Sequence, residues 1–102
     1  MSHLASTKLN ICAILSMLKR HTEARRLAEE AVRHLVETLS ELHDEQTARE
    51  MGVQGQSILC STITVALFNL GAEHEHLNCL SEALFSYQKA KNFAEKGDFL
   101  EL

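Results

Sequence analysis

His74-x-His76-x-x-Cys79 carries the residue types that a metal site needs. Imidazole and thiolate both ligate zinc, which takes four ligands in a closed tetrahedral site. The spacing argues against it. On a helix, residues two apart point in different directions, so His74 and His76 do not converge. A fourth ligand is not in evidence. Cys12 with His21 would be a thiol nucleophile and its base. Cys12, however, falls at a small position that packing would bury, where a thiol is inert. Glu29 and Glu30 are adjacent carboxylates on a face expected to be exposed, with no pocket to work in. No glycine-rich phosphate loop and no nucleophile elbow occurs in the sequence. These residues read as packing and surface positions. The chain is expected to be a non-enzyme with no catalytic residue, no metal and no cofactor.

Something must position these residues, and composition says what. The chain has 102 residues, 45% of them hydrophobic, which suits one domain with a modest core. It has no proline and four glycines, so it has few places to turn. That favours a few long helices over many short strands. With five aromatic residues and no Trp, the core must be mostly Leu, Ala, Ile and Val. No continuous stretch reaches the ~18 apolar residues of a membrane span, and no signal peptide is visible. Cys12, Cys60 and Cys79 are odd in number and widely spaced, so a reducing, cytosolic setting is expected.

The net charge of −4 is unevenly spread: residues 1–34 sum to +3, and residues 35–76 to −6. An acidic middle argues against nucleic-acid binding. The basic N-terminal third would suit an acidic partner or another copy of the chain, unless it is simply a solvated helix face.

Apolar spacing predicts helix 1 over about 4–18, with an apolar face wide enough for neighbours on two sides. Helix 2 begins near Thr22. It either continues to about Arg49 or breaks near His43–Asp44, with Asp44 capping a new turn; the continuous reading is preferred. Gly52-Val53-Gln54-Gly55 is read as the one clear interruption. Helix 3 follows to His76, burying Ile58, Leu59, Ile63, Ala66, Leu67, Leu70 and Gly71. Leu77–Asn78 turns the chain, Asn being tolerant of the left-handed conformation. Helix 4 runs from about Leu80 to Lys96, burying Ala83, Leu84, Tyr87, Ala90 and Phe93 or Ala94. Gly97 stops it, and residues 98–102 read as the start of a further helix.

A pattern within these helices occurs twice, offset by 59 residues. Asn10, Ile11 and Cys12 align with Asn69, Leu70 and Gly71. Leu18 aligns with Leu77, Glu23–Ala24 with Glu82–Ala83, and Ala31 with Ala90. Small residues at fixed offsets let paired helices approach closely.

The pattern resembles the tetratricopeptide repeat, a helix–turn–helix unit of about 34 residues. One copy reads Lys8-x-x-Ile11-Cys12-x-x-Leu15, then Leu18, then Ala24-x-x-x-Ala28-x-x-Ala31. The other reads Leu67-x-x-Leu70-Gly71-x-x-His74, then Leu77, then Ala83-x-x-x-Tyr87-x-x-Ala90. Lys8 and His74 depart from the family's aromatic residues, and its closing proline is absent. The resemblance implies an all-α domain of four antiparallel helices in two stacked hairpins. Repeat one spans about 5–38, an insertion about 39–63, and repeat two about 64–97. It also implies a concave groove lined by the first helix of each pair. Mapped position by position, that groove takes Leu9, Asn10, Ala13 and Met17 from helix 1. From helix 3 it takes Val65, Phe68, Asn69, Ala72 and His76. The family often uses an Asn at the position of Asn10 and Asn69 to pair with the backbone of an extended peptide. The family's chaperone-carboxylate clamp is not expected, because Leu9 and Phe68 stand at its Lys position.

The function expected is therefore that of a protein-interaction module holding a peptide or helix of a partner. The alternative is a structural segment that self-associates, for example as a homodimer, or that belongs to a longer cytoskeletal or ciliary array. Neither reading involves nucleic acid or a membrane.

Overall fold

Four helices account for nearly all of residues 3–96, the part of the chain that this computed structural model describes. They are α1 (Leu4–Met17), α2 (His21–Glu41), α3 (Glu45–His76) and α4 (Leu80–Lys96). The fold is all-α, with no strand among the described residues. Each helix packs on the next in sequence, and α1 also touches α3. The expectations for Gly97 and for residues 98–102 lie outside the described residues.

The repeat in the sequence returns as a repeat in the backbone. Lys19 and Asn78, 59 residues apart in the sequence, are both left-handed, with φ of 65° and 63°. Arg20 N–H donates to the Leu15 carbonyl and Lys19 N–H to that of Ser16; Cys79 N–H and Asn78 N–H do the same to His74 and Glu75. Both turns thus close the helix by the bond pattern of the Schellman motif. Lys19 does so without the usual Gly or Asn.

Small residues sit where the repeat requires close approach. Cys12, Ala24, Ala28 and Ala31 are buried in one pair, and Gly71, Ala83 and Ala90 in the other. A Cβ on Gly71 would lie 2.7 Å from Cε1 of Tyr87, so α4's aromatic ring rests directly on α3's backbone. The larger core cluster joins Ala5 and Leu9 of α1, Leu35 of α2, Leu42 just past its end, and Leu59, Ile63 and Ala66 of α3. Lys8, where the other copy of the repeat has Leu67, bridges α1 to α2. Its Nζ lies 2.8 Å from Oε1 of Glu30.

Two expectations need correcting. The continuous second helix is wrong: α2 ends at Glu41 and α3 starts at Glu45. Leu42 turns into the core, and Asp44 caps the new helix by accepting from Thr47 N–H at 3.0 Å and Thr47 Oγ1 at 2.8 Å. The glycine stretch does interrupt the helical path, as expected: Gly52, with φ of 76° and ψ of 171°, is non-helical, and two helical stretches of α3 meet there at a kink. Gln56 Nε2 bridges the kink by donating to the Ala48 carbonyl at 3.0 Å. Finally, Ile58 and Leu84, expected to be buried, are exposed, as are Ile11, Ile14 and Leu18 on the wide apolar face of α1.

α3 is long and apolar enough to cross a membrane by length and composition, with a mean hydropathy of 1.3 over an 18-residue window. Much of that apolar character is the stripe from Leu59 to Leu70 that packs on the other helices.

The Asp44 cap has a pH signature. The hydroxyl of Thr47 and then its backbone N–H hold the carboxylate in its charged form, below the ordinary value. Its stabilisation is present above the unfolded value of about 3.9 and is lost as pH falls through the lower folded value. Asp44→Ala should lower the melting temperature at pH 7 and make no difference near about pH 2. Thermal melts followed by circular dichroism at both values check this; an equal gap at the two would contradict it.

Candidate partner-binding face

The face is built around Gly71. Because position 71 has no side chain, Tyr87 lies flat against α3, and its ring centroid comes within 5.9 Å of that of Phe68, tilted by 49°. Tyr87 Oη donates to Oε1 of Glu75 at 2.8 Å, which fixes the ring from its other end. Burial and then that carboxylate push the phenol up to about 12, so it stays protonated and keeps donating. Phe68 is held in this way while 46% exposed. Val65, one turn earlier, is 52% exposed. It also lines an open groove of about 550 Å³ between the middle of α3 and the end of α4, with Cys60, Ser61 and Phe93.

On α1, Asn10, Ala13 and Met17 share an exposed side, and Met17 is 82% exposed. On α3, Asn69 and Ala72 are half-buried. Neither Asn10 nor Asn69 spends its side-chain amide on a hydrogen bond among the described residues, which leaves both donors and acceptors available. Leu9 departs from the expected groove floor. It is buried with Ala5, Leu35 and Ile63 in the main core, because α1 turns this position toward α2 and α3. His76 is exposed but engaged: its ring stacks on that of His21, centroids 4.1 Å apart and 6° from parallel.

That stack belongs to a cluster that sequence reading missed. Nδ1 of His21, at the start of α2, lies 2.7 Å from Oε1 of the buried Glu73. The cluster ties the start of α2 to the end of α3. Its only advance signal was the doubled pattern, which sets both residues near the turns that end α1 and α3.

Among the described residues, His74, His76 and Cys79 do not converge on one point. His74 is buried, His76 is exposed on His21, and Cys79 receives Arg25 Nη1 at 3.9 Å. Among the described residues there is no group of three or more His, Cys, Asp or Glu able to hold a metal ion. Cys12 is buried, and burial, with the Glu73 charge adding, pushes its thiol up to about 11. Such a thiol carries almost no thiolate at neutral pH. His21, its supposed base, is already engaged by Glu73.

Comparisons with protein-family models, with curated proteins and with solved structures return no match.

Proposed function

We propose that this chain is a protein-interaction module built as two tetratricopeptide-like helix pairs. It receives an apolar peptide or amphipathic helix of a partner protein across α1 and α3. The observation that carries the reading is Phe68. It is a large aromatic, half exposed, held still by Tyr87 and flanked by the exposed Val65. Anchors of this kind dominate binding energy, because a side chain already fixed loses little entropy when it is covered. Met17 offers an adaptable apolar contact from α1, and Asn10 and Asn69 offer amides to a peptide backbone. The small buried residues at matched offsets, and the matched left-handed turns at Lys19 and Asn78, support the paired-helix architecture.

The test is a pull-down with wild type and Phe68→Glu. Phe68 is exposed, so the variant should fold and melt as wild type does. Partners held by wild type should be missing from the variant. Identical recovery by both would overturn the assignment of this face. With a captured partner in hand, unchanged affinity in Asn10→Ala and Asn69→Ala would exclude the backbone-pairing role.

A further inference from the structure

The contact between α2 and α3 is where the second helix of one pair meets the first helix of the other. On α3, Leu70 and Glu73 are buried there, and His76 stacks on α2. On α2, His21 meets both Glu73 and His76, and Arg25 reaches Cys79. The repeat offset of 59 residues carries these positions to the outer members of the helix order. Leu70, Glu73 and His76 become Ile11, Ile14 and Met17 of α1. His21 and Arg25 become Leu80 and Leu84 of α4.

All five outer residues are exposed; Ile14 is 57% exposed and Leu80 60%. Polarity changes at four of the five; Leu70 and Ile11 are both apolar. The inner contact pairs His21 with Glu73 and His76. The equivalent outer positions set Leu80 opposite Ile14 and Met17. At these three positions the polar groups have polar partners inside, and the apolar groups have apolar counterparts outside. Ordinary solvated helix faces have no reason to be apolar at matching positions on two different helices. One apolar residue left exposed needs no explanation, but a complementary set does.

We infer that copies of this chain associate head to tail, with the α1 side of one seated on the α4 side of the next. In that contact Ile14 and Met17 cover Leu80, and Ile11 and Leu84 flank them. This rests on reading the two helix pairs as repeated units; it shares Met17 with the partner-binding face but uses neither Phe68 nor Val65. The contact joins two different patches, so it is heterologous and open-ended. It builds chains of copies, where a self-complementary patch would stop at a dimer.

The test is sedimentation velocity on the 102-residue chain from about 10 μM to about 1 mM, the range that reads out micromolar to millimolar contacts. Wild type should grow with concentration past the mass of a dimer. Ile14→Glu and Leu80→Glu should each remain monomeric, with melting temperatures close to wild type. Mixed together, they should form a one-to-one pair and nothing larger. Ile14→Glu keeps an intact α4 side and Leu80→Glu an intact α1 side, so only one junction can form. Phe68→Glu should assemble like wild type. If either glutamate variant fails to fold, Ile11→Lys and Leu84→Lys replace the pair.

A wild type that is monomeric throughout overturns the proposal and assigns these sides to another occupant, such as a helix of a different chain. So does a wild type that stops at a dimer, or a mixture of the two variants that does not pair. Loss of partner binding in Phe68→Glu would still stand in each case, so the two readings fail separately.

Discussion

Leu59→Ala is expected to destabilise this protein by about 2–5 kcal/mol, the range for removing a fully buried leucine side chain. The total available to a domain of this length is about 5–15 kcal/mol, so the variant should sit near the edge of folding. Leu59 is completely buried and belongs to the cluster that α1, α2 and α3 share. The same cluster contains Ala5, Ala31, Ala66 and Ala90, small residues that have no side chain to extend into a space left behind. Collapse around the cavity would have to move whole helices, so the cost should lie toward the upper end. Urea denaturation followed at 222 nm checks this, with a fall in midpoint at unchanged slope as the expected result. A loss below about 1 kcal/mol would mean that Leu59 is not at the centre of the packing.

Gly71→Val should be nearly as damaging, for the opposite reason. An added Cβ meets Tyr87 at 2.7 Å to Cε1, 2.8 Å to Cδ1 and 3.1 Å to Cζ. The rigid ring cannot give way at one end, because its hydroxyl is bonded to Glu75. Overpacking of this kind costs about 1–3 kcal/mol, offset only in part by the better helix propensity of a non-glycine residue. The clash is with one residue, so it has a specific cure. Gly71→Val should be far less damaging in a Tyr87→Ala background, giving a coupling of about 1–2 kcal/mol in a double-mutant cycle. Additive effects would show that the ring does not rest on Gly71. The same substitution should disturb the Phe68 face, because Tyr87 is what steadies Phe68.

The sequence revealed the helices and the places where they approach. Cys12 with Gly71, Ala24 with Ala83 and Ala31 with Ala90 are small at equal offsets, and a position that must be small leaves a visible trace. The turn at Asn78 was legible because Asn favours the left-handed conformation. The equivalent turn at Lys19 was not, because nothing local in lysine asks for it; the repeat imposes it.

The break before α3 turned on a local competition. The apolar spacing of α2 runs smoothly past Leu39 and Leu42, and periodicity alone continues the helix. Asp44 outweighs it by satisfying the new helix's N-terminal N–H. Gly52 was legible as an interruption, because glycine takes a φ of 76° at no steric cost, and the helical path breaks there into two stretches. Helical spacing also misjudged which apolar residues are covered. It places Ile58 and Leu84 on apolar stripes, but coverage depends on where neighbouring helices lie. For the same reason Leu9 seemed to face a groove and instead lies in the seam between helices. The His21–Glu73–His76 cluster joins residues more than 50 positions apart, and no local pattern encodes such a contact.

The central claim is that the Phe68 face of α1 and α3 receives a protein partner. The most direct measurement is the affinity of a captured partner segment for wild type, Phe68→Glu and Ile14→Glu, compared at equal thermal stability. Phe68→Glu should weaken binding by about 30-fold or more, the loss of a central aromatic anchor, while Ile14→Glu binds as wild type does. Wild-type affinity in Phe68→Glu, with the loss appearing instead in Ile14→Glu, would contradict the account.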